Sequence, residues 1–129
     1  MSRGATRRHL ALAAAALTAA GALALAAPGA ARAASGGCAG HEVRVLPFAT
    51  GTVHVHRRGG YVCAVTLPRK PGTGRTMSVG VQARGNLPVV DKGRYGKRAG
   101  PVTVHAGHRC VRVTGSVGAA SVGSGWILC

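Results

Sequence analysis

The chain has 129 residues, which favours a single domain, and sets 17 Lys and Arg against two acids, Glu42 and Asp91, for a formal net charge of +15. So few carboxylates exclude an aspartic protease or a calcium-binding protein and leave little material for acid/base chemistry. The four aromatic residues, Phe48, Tyr61, Tyr95 and Trp126, are too few for stacking platforms that would hold sugars or single-stranded nucleic acid.

The chain opens on a basic stretch with Arg3, Arg7 and Arg8, then runs from Leu10 to Ala27 with only Thr18 and Gly21 breaking its apolar character. Pro28-Gly29 follows, and Ala31-Arg32-Ala33 places small residues where a signal peptidase reads them. This is the pattern of a cleavable signal peptide over residues 1–33, with a secreted domain at residues 34–129. A membrane anchor would need the same apolar length, but this Ala-rich run ends in a turn and a cleavage-like site. Thr6-Arg7-Arg8-His9-Leu10 also fits a twin-arginine signal, so the export route stays open.

Cleavage takes away Arg3, Arg7, Arg8 and Arg32 and leaves 96 residues with 13 Lys and Arg, both acids and a net charge of +11. All four cysteines, Cys38, Cys63, Cys110 and Cys129, remain. An even count in a small exported chain reads as two disulfides, and no C-x-x-C spacing points to zinc or redox chemistry. Three connectivities are open. Cys38 with Cys63 and Cys110 with Cys129 are the preferred pairs because both close short loops, each stabilising the domain by about 3 kcal/mol on chain entropy.

Along the secreted part the visible period is two. Val43 and Val45 flank Arg44; Val53 and Val55 alternate with His54 and His56; Tyr61, Cys63, Val65 and Leu67 share a face, as do Met77, Val79 and Val81. Val102 and Val104 alternate with Thr103 and His105, Val111 and Val113 flank Arg112, and the chain ends on Trp126-Ile127-Leu128-Cys129. These short, Val-rich runs bounded by Gly or Pro predict strands, and no window supports an amphipathic helix. Arg57-Arg58-Gly59-Gly60 and Gly107-His108 read as hairpin turns, residues 68–75 as a basic loop, and Arg84 to Gly100 as a longer irregular segment in which Asp91 shapes a turn before Gly93. The expected fold is all-β, a small antiparallel sandwich or barrel of about seven or eight short strands stapled by two disulfides.

The run Asp91-Lys92-Gly93-Arg94-Tyr95, then Ala99-Gly100-Pro101-Val102-Thr103-Val104 and Gly107-His108-Arg109-Cys110-Val111, resembles the spore-associated protein A family of streptomycete-type actinomycetes. So do the opening Cys38-Ala39-Gly40, the strand from Gly51-Thr52-Val53 leading through Tyr61 to Cys63-Ala64-Val65-Thr66-Leu67, and the terminal Cys129. The most specific parts are D-x-G-x-Y, A-G-P-V and the cysteine spacing. The resemblance implies a small secreted protein found with spores or the cell surface, with no established catalytic activity.

Chemistry-bearing groups are sparse. His54 and His56 project from one face of a strand, and His105 and His108 lie on a neighbouring turn, which makes them weak candidates for zinc or copper. Alternation alone would make them a solvated polar face opposite Val53 and Val55, with no carboxylate to orient the rings, so no metal and no cofactor is assigned. Ser121 in Ala119-Ala120-Ser121-Val122-Gly123 only half resembles a nucleophile elbow and lacks the strand-to-helix context. Glu42 and Asp91 are the sole carboxylates a glycosidase pair would have. A secreted ribonuclease with Glu42 as general base, a His as general acid and Arg for the phosphate is the least strained enzyme reading. No catalytic residue is assigned.

Charge is the stronger signal. Arg57, Arg58, Arg69, Lys70, Arg75, Lys92, Arg94, Lys97 and Arg98 lie among Gly and Pro, where they would present a diffuse positive surface. Positive charge without aromatics predicts salt-sensitive, weakly specific binding. A coding bias toward Arg is the bland account of the excess, but it does not explain why acids nearly vanish. The expected protein is a noncatalytic monomer held on acidic wall or spore-surface polymers, or on anionic lipid, with no sequence-specific nucleic-acid partner. The alternatives are a diffusible cationic antimicrobial or toxin-like protein and a ribonuclease-like hydrolase.

Overall fold

The computed structural model describes residues 36–129, and the expected signal peptide lies outside the described residues. Eight strands follow one another: β1 (His41–Phe48), β2 (Gly51–Arg58), β3 (Tyr61–Pro68), β4 (Arg75–Ala83), β5 (Val89–Tyr95), β6 (Ala99–His105), β7 (Val111–Val117) and β8 (Ala120–Ile127). They form two four-stranded antiparallel sheets, β1-β2-β3-β6 and β5-β4-β7-β8, and no helix occurs among the described residues. The sheets are packed together, with β5 alongside β6 on one flank and β1 alongside β8 on the other. This is the small antiparallel β-sandwich the alternating pattern predicts.

The core comes from the inner faces of the central strands. Val53 and Val55 of β2 and Val62 and Ala64 of β3 meet Met77, Val79, Val81 and Ala83 of β4 and Val111, Val113 and Val117 of β7, all buried. Such a Val-rich interior is compact but thin. Its closest approach is at Gly115, where a Cβ would overlap Val53 Cγ2 and stand 2.7 Å from Thr66 Oγ1. Glycine there lets buried Thr66 donate its hydroxyl to the Ser78 carbonyl at 2.8 Å, a hydrogen bond from the first sheet to the second. The polar atom is thus satisfied inside the core, as burial requires.

The first sheet is also covered on its outer face. Cys63 and Val65 of β3 are buried there with Cys38, and Leu67 packs beside them. The Cys38–Cys63 disulfide pins the segment before β1 over this face, and Cys110–Cys129 ties the start of β7 to the end of the chain. Both preferred pairings are therefore found. The cover has one unexpected effect: His56, read from sequence as solvated, is 6% exposed.

Two local expectations are corrected. Residues 84–100 are not wholly irregular, because β5 pairs with β4 from Val81↔Val89 to Arg75↔Tyr95. The strand is hard to see in the sequence because the positions paired with Met77 and Val79 are Gly93 and Asp91, not apolar residues. Gly107-His108 is not a hairpin either: β6 pairs with β3, β7 pairs with β4 and β8, and the short connection crosses from one sheet to the other. Ala106 and Gly107 both donate their N–H groups to the Gly60 carbonyl, which anchors the crossing on the β2–β3 turn.

Asp91 likewise shapes no turn. Asp91, Gly93 and Tyr95 alternate along β5 on one face, and Tyr95 folds back over Gly93, where a Cβ would stand 2.9 Å from the Tyr95 ring and hydroxyl. The phenol donates to Asp91 Oδ1 at 2.6 Å, and Gly100 N–H donates to Oδ2 at 2.8 Å. One carboxylate thus joins β5, an edge strand of the second sheet, to the first residues of β6, and the D-x-G-x-Y spacing is what the geometry needs.

The hydrogen bond to Asp91, then desolvation and the nearby negative charge, raise the Tyr95 phenol above its usual range. The folded state therefore holds this proton more tightly than the unfolded chain does. Its contribution is complete below about pH 10 and is lost as pH rises through the higher folded value. Denaturant titrations between about pH 8 and pH 11 should show wild type losing stability more steeply than Tyr95→Phe above pH 10. Gly115→Ala is expected to lower stability by about 1–3 kcal/mol through overpacking between the sheets, read from the same titrations. Cys110→Ser should depress the melting temperature sharply, since it opens one of two staples on a small core; calorimetry showing no change would remove the structural role from that disulfide.

Candidate polyanion-binding surface

Neither acid forms a salt bridge with a described Lys or Arg. Asp91 is occupied by Tyr95 and Gly100. Glu42, at the start of β1, accepts from His54 Nδ1 at 2.5 Å across the β1–β2 pair. That pair is the one His, Lys or Arg to carboxylate bridge among the described residues, so no described Lys or Arg has a carboxylate partner. It also corrects the expectation that no carboxylate orients the histidines.

The strand registers sort the cations by end. At one end, Arg69 and Lys70 lie in the β3–β4 loop, Arg75 opens β4, Arg94 lies next to the end of β5, and Lys97 and Arg98 lie in the β5–β6 connection. These loops are one hydrogen-bonded unit. Arg69 N–H donates to Thr50 O at 2.9 Å and Gly72 N–H to Gly96 O at 3.0 Å. Arg75 Nη2 reaches Lys70 O at 3.0 Å and Arg94 Nη2 reaches Gly74 O at 2.9 Å. A half-open cavity of about 330 Å³ sits among them, lined by Ala49, Thr50, Arg69, Lys70 and Arg75.

Arg57 and Arg58 close β2 at the opposite end, just before the β2–β3 turn, with Arg57 Nη2 bonded to Gly107 O at 3.0 Å. Sequence reasoning passed over three further cations there. Arg109 clamps the sheet crossing by donating to the carbonyls of Ala106, His105 and Arg84. Arg84 and Arg112 stand over the Trp126 ring, 5.5 and 4.4 Å from its centroid, in a cation–π arrangement. The Arg112-to-Trp126 contact follows from their cross-strand register, which no local signal announces. Lys92 is exposed midway along β5, opposite Ser78. Arg57, Arg58, Arg75, Lys92 and Arg94 are therefore strand residues, where the sequence had suggested loops.

The histidines do not converge. His54 is held by Glu42, His56 lies under the covering segment with Nδ1 3.4 Å from Gly40 O, and His105 stands edge-on to Tyr61 at 5.0 Å. His108 is exposed in the crossing. Among the described residues no three His, Cys, Asp or Glu side chains gather in a metal-holding group. Glu42 and Asp91 sit on edge strands of different sheets, each already bonded, so they are not brought together as a carboxylate pair. Ser121, on β8, has Ser116 as its cross-strand neighbour.

Fold and site define a small, disulfide-stapled, strongly basic β-sandwich. Comparison of the chain with protein-family models, curated proteins and solved structures gives no match. What the arrangement can do chemically follows from its charges: guanidinium forks and ammonium groups, uncompensated by carboxylates, attract oxyanions with a strength that salt screens.

Proposed function

We propose that the chain is a noncatalytic exported protein of a spore or cell exterior, held on acidic wall or coat polymers by its basic surface. The observation that carries this reading is the commitment of both acids, Glu42 to His54 and Asp91 to Tyr95 and Gly100, which leaves every described Lys and Arg without a carboxylate partner. Two disulfides fit an extracellular protein. The resemblance of the D-x-G-x-Y and A-G-P-V segments to spore-associated proteins supports the same setting.

A second reading, action on an anionic membrane as a diffusible cationic protein, is favoured by one feature. Leu87 is 88% exposed, and Val89 and Val90 are exposed beside it, in the stretch between Arg84 and Lys92. Apolar side chains beside cations are the composition of interfacial binding. Fractionation of producing cells with an antibody to the secreted domain separates the two readings. Adhesion predicts retention on the surface at low ionic strength and release by about 0.5 M salt. Protein found only free in the medium, and inhibiting other cells, would replace the first reading with the second.

A further inference from the structure

We propose that the cavity between the β1–β2 turn and the β3–β4 loop is a binding site for the phosphodiester group of an anionic polyol polymer. It rests on the adhesion reading above and gives it a chemical preference. Three cations, Arg69, Lys70 and Arg75, line a space of about 330 Å³ with Ala49 and Thr50. The backbone around it is fixed: Arg69 N–H is bonded to Thr50 O, Thr50 Oγ1 donates to Val117 O at 2.7 Å, and Arg75 is anchored on the Lys70 carbonyl. Arg69 and Lys70, by contrast, make no side-chain hydrogen bond to any described residue. Their donors are free while their attachment is held, so binding orders side-chain tips and not a loop.

The donor set decides the anion. A carboxylate has two coplanar oxygens, which one guanidinium fork matches edge to edge. The two unesterified oxygens of a phosphodiester lie out of the plane of its ester bonds and each accepts from several donors, which suits two Arg and one Lys around a single space. The volume, at the small end of ligand sites, leaves room for the adjoining polyol unit beside the phosphate. Lys97 and Arg98 follow Gly96, whose carbonyl accepts from the cavity loop at Gly72, and Arg94 bonds the same loop at Gly74. They continue the positive surface for the next charged units of a polymer.

The test compares two variants of equal charge. Arg69→Gln with Lys70→Gln removes from the cavity the two cations whose side chains make no hydrogen bond; Arg58→Gln with Lys92→Gln removes the same charge elsewhere, also from side chains without hydrogen bonds. Titration calorimetry with poly(glycerol phosphate) should show the cavity variant binding about tenfold or more weakly, and the control weakened by less than about threefold. Wild type should bind polyglutamate of matched charge density more weakly than the phosphate polymer, and inorganic phosphate should shift the backbone amide resonances of Thr50 and Arg69. Equal losses in both variants, or equal affinity for polyglutamate, would overturn the cavity assignment and leave adhesion standing. Loss of binding to phosphatidylglycerol vesicles with polymer binding intact would also overturn it, assigning the phosphate to lipid. Failure of wild type to bind either polymer at low salt would overturn both proposals.

Discussion

The Asp91 carboxylate takes the phenol of Tyr95 on one oxygen and the Gly100 N–H on the other, and so couples β5, the edge of one sheet, to the entry of β6, the edge of the other. At this flank of the sandwich the chain changes sheets with only Gly96, Lys97 and Arg98 between the two strands. A hydrogen bond to an ionised group is stronger than a neutral one, and two of them on a half-buried carboxylate hold the two edges together. Gly93 is part of the same device, because any side chain there would displace the tyrosine ring. The crossing at residues 106–110 is held differently, by the Gly60 carbonyl and the Arg109 guanidinium.

That structural use of Asp91 has an electrostatic consequence. With Glu42 engaged by His54, no described Lys or Arg has a carboxylate within salt-bridge distance, and two acids stand against 17 basic residues. Several guanidinium groups instead satisfy themselves on backbone carbonyls: Arg75 on Lys70, Arg94 on Gly74, Arg57 on Gly107. A carbonyl orients an arginine without cancelling its charge. The loops are therefore ordered and positive at once, a combination that a surface of salt bridges would not give.

How much of this is legible in the chain differs from element to element. The strands with apolar residues at every second position, β2, β4 and β7, are plain from alternation, and the short sequence separation of each cysteine pair points to the observed bridges. β5 is obscured because Asp91 and Gly93 occupy positions where an apolar residue would reveal the strand. The β6–β7 connection looks like a hairpin because a tight turn between two alternating runs reads the same whether the runs pair or part to different sheets. The buried state of His56 depends on a segment fastened over it by a disulfide, which pattern alone does not express.

The amino-acid sequence by itself determined the class of fold, the cysteine pairs preferred for bridging and the excess of positive charge, because each rests on local period, spacing or count. Only the tertiary structure decided where that charge is concentrated. Thr50, Arg69 and Arg75 come from three segments that meet through the pairing of β2 with β3, the hydrogen bond from Arg69 N–H to Thr50 O and the return of the chain into β4. It also decided that both acids are spent inside the protein's own hydrogen bonds, since a carboxylate's availability depends on which donors reach it across strands and not on its neighbours in the chain.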